Sequence, residues 1–236
     1  MGTYVDLHVV PPSEDIHSCE RIADLLATAD FSTVGLTFPT GLLNERIRTI
    51  RQVFEERGLN TVMRVDLKPS SRTELLRLLR RFRNQYDIVA VTCLNQNAAT
   101  VSCRDRRVDL VFLDAANRAF RFNHTLAHLL RGAVEFNIAS DLVGQSDGAV
   151  LSRIRKAIMV AIEHSVKIVL SSGARSYEMV RTPFQMSAVG VALGLNQESS
   201  IRAVSYTPSV IVAENQRKRG PEYVEEGVRM IVPSRR

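Results

Sequence analysis

The sequence predicts an α/β chain folded as one (β/α)8 barrel of the TIM type, and three observations carry that expectation. Short apolar, β-branched runs alternate with helix-patterned segments from one end of the chain to the other. Eight such runs can be read, and alternation of this kind makes strands parallel, with right-handed crossovers. The length of 236 residues suits eight strand–helix units in a single domain. An open doubly wound sheet is the competing arrangement of the same units.

The expected strands are Tyr4 to Val10, Thr33 to Phe38, Thr61 to Leu67, Ile88 to Leu94, Val108 to Asp114, Val134 to Ala139, Lys167 to Ser171 and Ile201 to Tyr206. The first helix carries Ile16, Cys19, Ile22, Ala23 and Leu26 on one stripe, with Ser13 as its expected N-cap. The second carries Leu43, Ile47, Ile50 and Phe54 and stops at Gly58. A third runs from Ser71 to Gln85, and a short fourth from Asn97 to Cys103. The fifth spans Asn123 to Arg131, and the sixth Ala149 to His164. A seventh starts at Pro183, a favoured first-turn position, and stops at Gly194. The eighth begins near Pro208. Residues 1–236 thus read as one barrel domain. About 220–236 form a C-terminal extension, rich in Tyr223, Val224, Val228 and Met230, that packs on the barrel or on a partner.

Composition narrows the function classes. Hydrophobic residues make up 45% and charged residues 24%, values ordinary for a globular chain. The apolar runs are too short to cross a bilayer, so no membrane partner is expected. Three cysteines without metal-type spacing, and no signal-peptide pattern, point to a reducing cytoplasm. The net charge is +6. Its carriers are mainly arginines, with lysine only at Lys68, Lys156, Lys167 and Lys218, and arginine's planar fork suits phosphate. Trp is absent and aromatics are 6%, which disfavours an aromatic base-stacking platform.

In a barrel of this type, function gathers at the C-terminal ends of the strands. Polar pairs stand there at spacing two: Asp6 with His8, Arg64 with Asp66, and Glu135 with Asn137. Asp114, Ser171 and Ser172 close two further strands. The cluster Asp6, Arg64, Asp66 and Glu135, with His8 and Asp114 beside it, reads either as a catalytic constellation or as a neutralised salt-bridge network that plugs the barrel mouth. A hydrolytic metal centre needs three ligands and an open position, and Asp6-Leu7-His8 supplies one edge only. His124 and His128 share a helix face at i, i+4 but lack the glutamate of a HExxH site. No metal and no cofactor is expected in the protein. There is no GxSxG, Walker loop or GxGxxG. The Ser-Ser-Gly-Ala turn at 171–174 offers backbone amides to a phosphate, so a barrel enzyme holding a phosphorylated metabolite at Ser172 and Gly173 is a further reading.

Basic residues cluster along the chain, and together they suggest a broad phosphate-contacting surface that gives affinity without reading base sequence. The RNA-binding candidates are Arg64, Lys68, Arg72, Arg80, Arg81, Arg107, Arg118, Arg121, Arg175 and Arg181.

Taken in order, individual stretches resemble the ribonuclease P protein component 3 family. They are Tyr4-Val5-Asp6-Leu7, Arg64-Val65-Asp66-Leu67, Val108-Asp109-Leu110-Val111 and Val134-Glu135-Phe136-Asn137-Ile138. Ile168 to Ala174 follows, with Arg181-Thr182-Pro183 behind it, then Leu193-Gly194 and Pro208 to Val212 with Asn215. The resemblance covers essentially the whole chain. It implies a PHP-like barrel within a ribonucleoprotein that cleaves precursor tRNA to give mature 5′ ends. It further implies that the RNA component does the cutting with magnesium, and that ribonuclease P RNA, protein component 2 and other protein subunits are partners. PHP phosphoesterases open with His-x-His, where this chain has Asp6 and His8, so the resemblance implies a vestigial metal site. A live metal-dependent phosphoesterase of the PHP type is the alternative.

Overall fold

The computed structural model describes residues 4–39, 41–112, 117, 120–138 and 148–220, and the backbone of 223–225 and 228–229. Seven parallel strands follow each other in chain order around a barrel. They are β1 (Tyr4–Val9), β2 (Phe31–Thr37), β3 (Asn60–Leu67), β4 (Ile88–Thr92), β5 (Leu110–Phe112), β6 (Ala133–Asn137) and β7 (Ile168–Ser171). The helices between and after them are α1 (Ile16–Thr28), α2 (Asn44–Glu55), α3 (Arg72–Phe82), α4 (Gln96–Arg104), α5 (His124–Leu129), α6 (Gly148–Glu163), α7 (Pro183–Ala192), α8 (Gln197–Ala203) and α9 (Tyr206–Arg219).

The expected eighth strand at Ile201 to Tyr206 is not a strand. Asn196 caps α8 by accepting the Ser199 N–H at 2.7 Å, and Glu198 lies in its first turn. That cap and the helix dipole outweigh a short apolar run. Among the described residues the barrel closes without an eighth strand in its sheet. The Val5 amide donates to the Val204 carbonyl (2.9 Å) at one end. At the mouth, Gly173 donates to His8 (2.9 Å) and Val10 to Ala174 (2.8 Å), so β1 meets the end of β7 directly.

Two apolar cores result. Inside the barrel, Val5, Leu7, Val62, Ile88, Leu110, Ala133 and Val169 form a lower layer, which α9 covers with Ile211 and Val212. Outside, the helices lay Ile22, Leu26, Ile50, Phe54, Leu75, Leu79 and Ile158 on the strands. Asn215 and Arg219 anchor α9 across the base by bonding the Asp87 carbonyl and carboxylate. The first helix is capped by Asp15, not Ser13, since Asp15 Oδ1 accepts the Ser18 N–H at 3.1 Å. The C-terminal extension contains two antiparallel strands, β8 (Tyr223–Glu225) and β9 (Val228–Arg229), and what its side chains touch lies outside the described residues.

Gly35 in β2 sits where any Cβ would overlap the Leu7 carbonyl of β1. Gly35→Ala is expected to destabilise the fold by about 3 kcal/mol through overpacking, whereas Gly148→Ala, with open space around it, should stay within about 0.5 kcal/mol. Chemical denaturation of the two variants measures the contrast.

Candidate nucleic-acid interface

Above the apolar layer the barrel interior turns polar, because β3 and β6 keep their inward alternation. Val62, Arg64 and Asp66 follow at spacing two on β3, and Ala133, Glu135 and Asn137 do so on β6. The Arg64 side chain is 1% exposed and Glu135 is fully buried. Arg64 Nη1 and Nη2 each donate to one Glu135 oxygen at 2.6 Å, a bidentate fork. Arg64 Nε donates to Asp66 Oδ1 at 2.7 Å, and Nη1 also reaches the Leu7 carbonyl at 3.0 Å. Ser171 Oγ donates to Glu135 Oε1 at 2.5 Å. His8 Nε2 lies 3.0 Å from Asp66 Oδ2, and His8 Nδ1 is 2.5 Å from Asn137 Nδ2.

Burial is the largest single effect and pushes the Asp66 and Glu135 carboxyls up, but the Arg64 charge, the Arg64 hydrogen bonds and nearby His8 together outweigh it and hold both below their ordinary values. Burial works against the Arg64 charge too, and Asp66 with Glu135 more than reverses it. Asp6 is different. A register irregularity between Asp6 and Val9 inserts an extra β1 residue against β2. Val5 and Leu7 both face the barrel interior, so Asp6 between them lies on the β1–β7 seam, where its Oδ1 accepts from the amides of His8 and Ser172, both at 3.1 Å, and the extra residue lets His8 turn into the mouth beside Asp66 and Asn137. The expectation that Asp6 and His8 share one working face is therefore corrected. Burial raises the Asp6 carboxyl despite the bonds from Ser172 and His8.

A PHP-type metal does not fit these residues. Both Glu135 oxygens and one Asp66 oxygen bind the Arg64 fork, and the other Asp66 oxygen faces His8. A guanidinium fixed among the ligands repels a dication. Asp114 lies outside the described residues. Gly173 closes the mouth turn with φ +65°, and a Cβ there would overlap the Asn137 amide.

The basic residues sort differently from the sequence expectation. Arg64 is corrected: locked to two carboxylates inside the barrel, it has no donor surface for RNA. Arg118 lies outside the described residues. Arg107 forks onto Asp105, at 2.9 and 2.6 Å. Arg181 turns back to the Glu178 and Val180 carbonyls, at 2.6 and 2.8 Å. Lys68 and Arg175 are exposed on the rim of a mouth cavity of about 250 Å³. Arg72, Arg77, Arg80 and Arg81 line a shallow concavity on α3. Among the described residues Arg72, Arg80 and Arg81 form no salt bridge. Arg121 belongs to a third patch, a cavity of about 270 Å³ floored by Phe120, Phe122 and Phe136. Arg153 and Lys156 of α6 join it there. Their helical positions were plain in the sequence, but their meeting with Arg121 depends on how α6 packs.

The sequence matches the family described as RNase P subunit p30 over residues 3–220. A relative named ribonuclease P protein component 3, from Methanosarcina barkeri, is 25% identical over 233 residues, covering 95% of this chain and 93% of the relative. One of the same name from Methanothermobacter thermautotrophicus is 23% identical over 201 residues, covering 81% and 80%. A chain in a structure described as archaeal ribonuclease P with mature tRNA superposes with a TM-score of 0.82 at 18% identity, covering 98% of this chain and 100% of that one, and so shares the fold.

Stability should follow the depressed Asp66 carboxyl. Its contribution is full above the unfolded value near pH 4 and is lost as pH falls toward the lower folded value. Asp66→Asn is expected to cost about 1–3 kcal/mol near neutrality and to flatten the acid limb below about pH 5. Urea midpoints from pH 7 downward through the unfolded carboxyl value measure both effects.

Proposed function

We infer the function of this chain from one premise: it belongs to the RNase P subunit p30 family. It acts as a protein subunit of ribonuclease P, the ribonucleoprotein that cleaves precursor tRNA to produce mature 5′ ends. It is part of an enzyme while supplying no catalytic group of its own. The observation that carries this second statement is the Arg64 fork, which occupies the carboxylates at the one place where a barrel of this kind would do chemistry.

What the chain contributes is a surface. The α3 arginines are exposed and largely without acidic partners, which leaves their donors available to phosphate. Lys68 and Arg175 at the mouth, and Arg121 with Arg153 and Lys156 on the flank, extend that surface. The partners proposed are ribonuclease P RNA, protein component 2 and further protein subunits, with magnesium serving the RNA. A cytoplasmic location agrees with three buried free thiols, of which burial pushes Cys93 and Cys103 to about 12. No helix among the described residues is long and apolar enough to cross a membrane. We also propose that the segment after Gly220 docks on the barrel or a partner subunit.

Cleavage of precursor tRNA by reconstituted ribonuclease P RNA and its protein subunits tests the reading. Adding this chain is expected to stimulate cleavage, and the chain alone should cut nothing. His8→Ala should leave the rate of the assembled complex within a few-fold. Replacing Arg77, Arg80 and Arg81 by Ala should weaken RNA binding and lower the salt slope by about 0.9 for each phosphate that is no longer neutralised. Phosphoester cleavage by the protein alone, or a folded and assembled His8 variant without activity, would contradict the proposal.

A further inference from the structure

Three of the chain's five histidines, none of them part of the mouth network, meet on the outside of the barrel. His124 opens α5, and His128 follows one turn later on the same face. His164 stands immediately after α6, next to Glu163. His124 Nδ1 lies 2.9 Å from His164 Nε2, and Glu163 Oε2 lies 3.8 Å from His124 Nδ1. One ligand atom from each of His124, Glu163 and His164 falls within 4.8 Å of the others. The His128 ring packs edge-on against His164, centroids 4.3 Å apart.

The backbones that carry these side chains are held. Asn123 caps α5, its Oδ1 accepting the Leu126 amide at 3.0 Å, so the position of His124 is set. α6 ends in a Schellman turn: Val166 donates to Ala161 (2.8 Å) and Ser165 to Ile162 (3.0 Å), with Ser165 at φ 53°. His164 is the cap residue of that turn, which fixes the direction in which its ring leaves the chain.

We propose that His124, Glu163 and His164 bind a divalent transition-metal ion of the zinc class, with a fourth position open to water. A tetrahedral ion with bonds near 2.0–2.1 Å sets its ligand atoms about 3.4 Å apart, and the observed 2.9 and 3.8 Å bracket that separation. Two imidazoles and a carboxylate favour zinc, nickel or copper over magnesium, so this ion is chemically distinct from any magnesium serving an RNA. His128, packed on His164, braces the ligand ring. The ion would staple the start of α5 to the end of α6. Those elements carry Arg153, Lys156 and His124 of the flank cavity, so the staple would also set the shape of that basic pocket.

The test uses the full chain without a histidine tag, titrated with zinc by calorimetry and with cobalt by visible absorption. One equivalent is expected, with the d–d bands of a tetrahedral cobalt site. His124→Ala and His164→Ala are expected to weaken zinc about 100-fold, and Glu163→Gln about 10-fold. His17→Ala, an exposed histidine elsewhere, should bind as the parent does. Far-UV circular dichroism confirms that each variant is folded. Zinc at 100 times its Kd should shift the folding equilibrium of the parent about 100-fold toward the folded state. Absence of stoichiometric binding at micromolar zinc overturns the proposal. So does stoichiometric binding that survives loss of both His124 and His164.

Discussion

A single buried cation organises this barrel. Arg64 lies inside the strand ring, where an uncompensated charge would cost several kcal/mol, and its fork satisfies both oxygens of Glu135 from the other side. Asp66 takes the remaining donor edge, and His8, Asn137 and Ser171 complete the layer. β1, β3, β6 and β7 are thus tied across the axis by side chains as well as around it by backbone. That tie matters because, among the described residues, only seven strands belong to the barrel sheet. The seam is held by a few backbone bonds, from β1 to the turn after β7 at the mouth and from Val5 to Val204 at the other end, and the polar layer spans it.

The same layer explains why a fold known for enzymes can serve here as a scaffold. Chemistry at the mouth needs free ligands or a nucleophile beside a base. The carboxylates are instead paired, and the Ser171 hydroxyl bonds Glu135. The residues left with unused donors are on the outside: the α3 arginines, the mouth rim and the flank cavity. Binding energy in this protein lives on the helices, and the barrel keeps them in place.

Much of the architecture was legible from periodicity. Seven of the eight expected strands are present, and the helix stripes of Ile22, Leu26, Leu75, Leu79 and Ile154 point inward as read. The eighth strand failed because Ile201 to Tyr206 is too short for pattern alone to tell strand from helix, and the cap at Asn196 decided it. The plugging network was visible as polar pairs at spacing two, yet sequence could not say which residue neutralised which. Arg64 therefore stood both in that network and among the RNA-binding candidates, and its fork onto Glu135 decides between the two. Asp6 shows the opposite limit, since the β1 irregularity turns His8 into the mouth and leaves Asp6 on the seam, which breaks the shared face their spacing suggested. His164 and Glu163 lie about forty residues from His124, and only the packing of α5 against α6 brings them together.

The most direct measurement of the central claim is a double-mutant cycle on Arg64 and Glu135, read by equilibrium denaturation at neutral pH. Arg64→Met and Glu135→Leu should each cost about 3–5 kcal/mol, because each strands one buried charge. The double variant should cost far less than their sum, giving a coupling of several kcal/mol from charge removed as a pair. Single variants that each cost under about 1 kcal/mol, or costs that simply add, would show that the fork does not hold the barrel together, and the account of the mouth as a self-neutralised plug would fail.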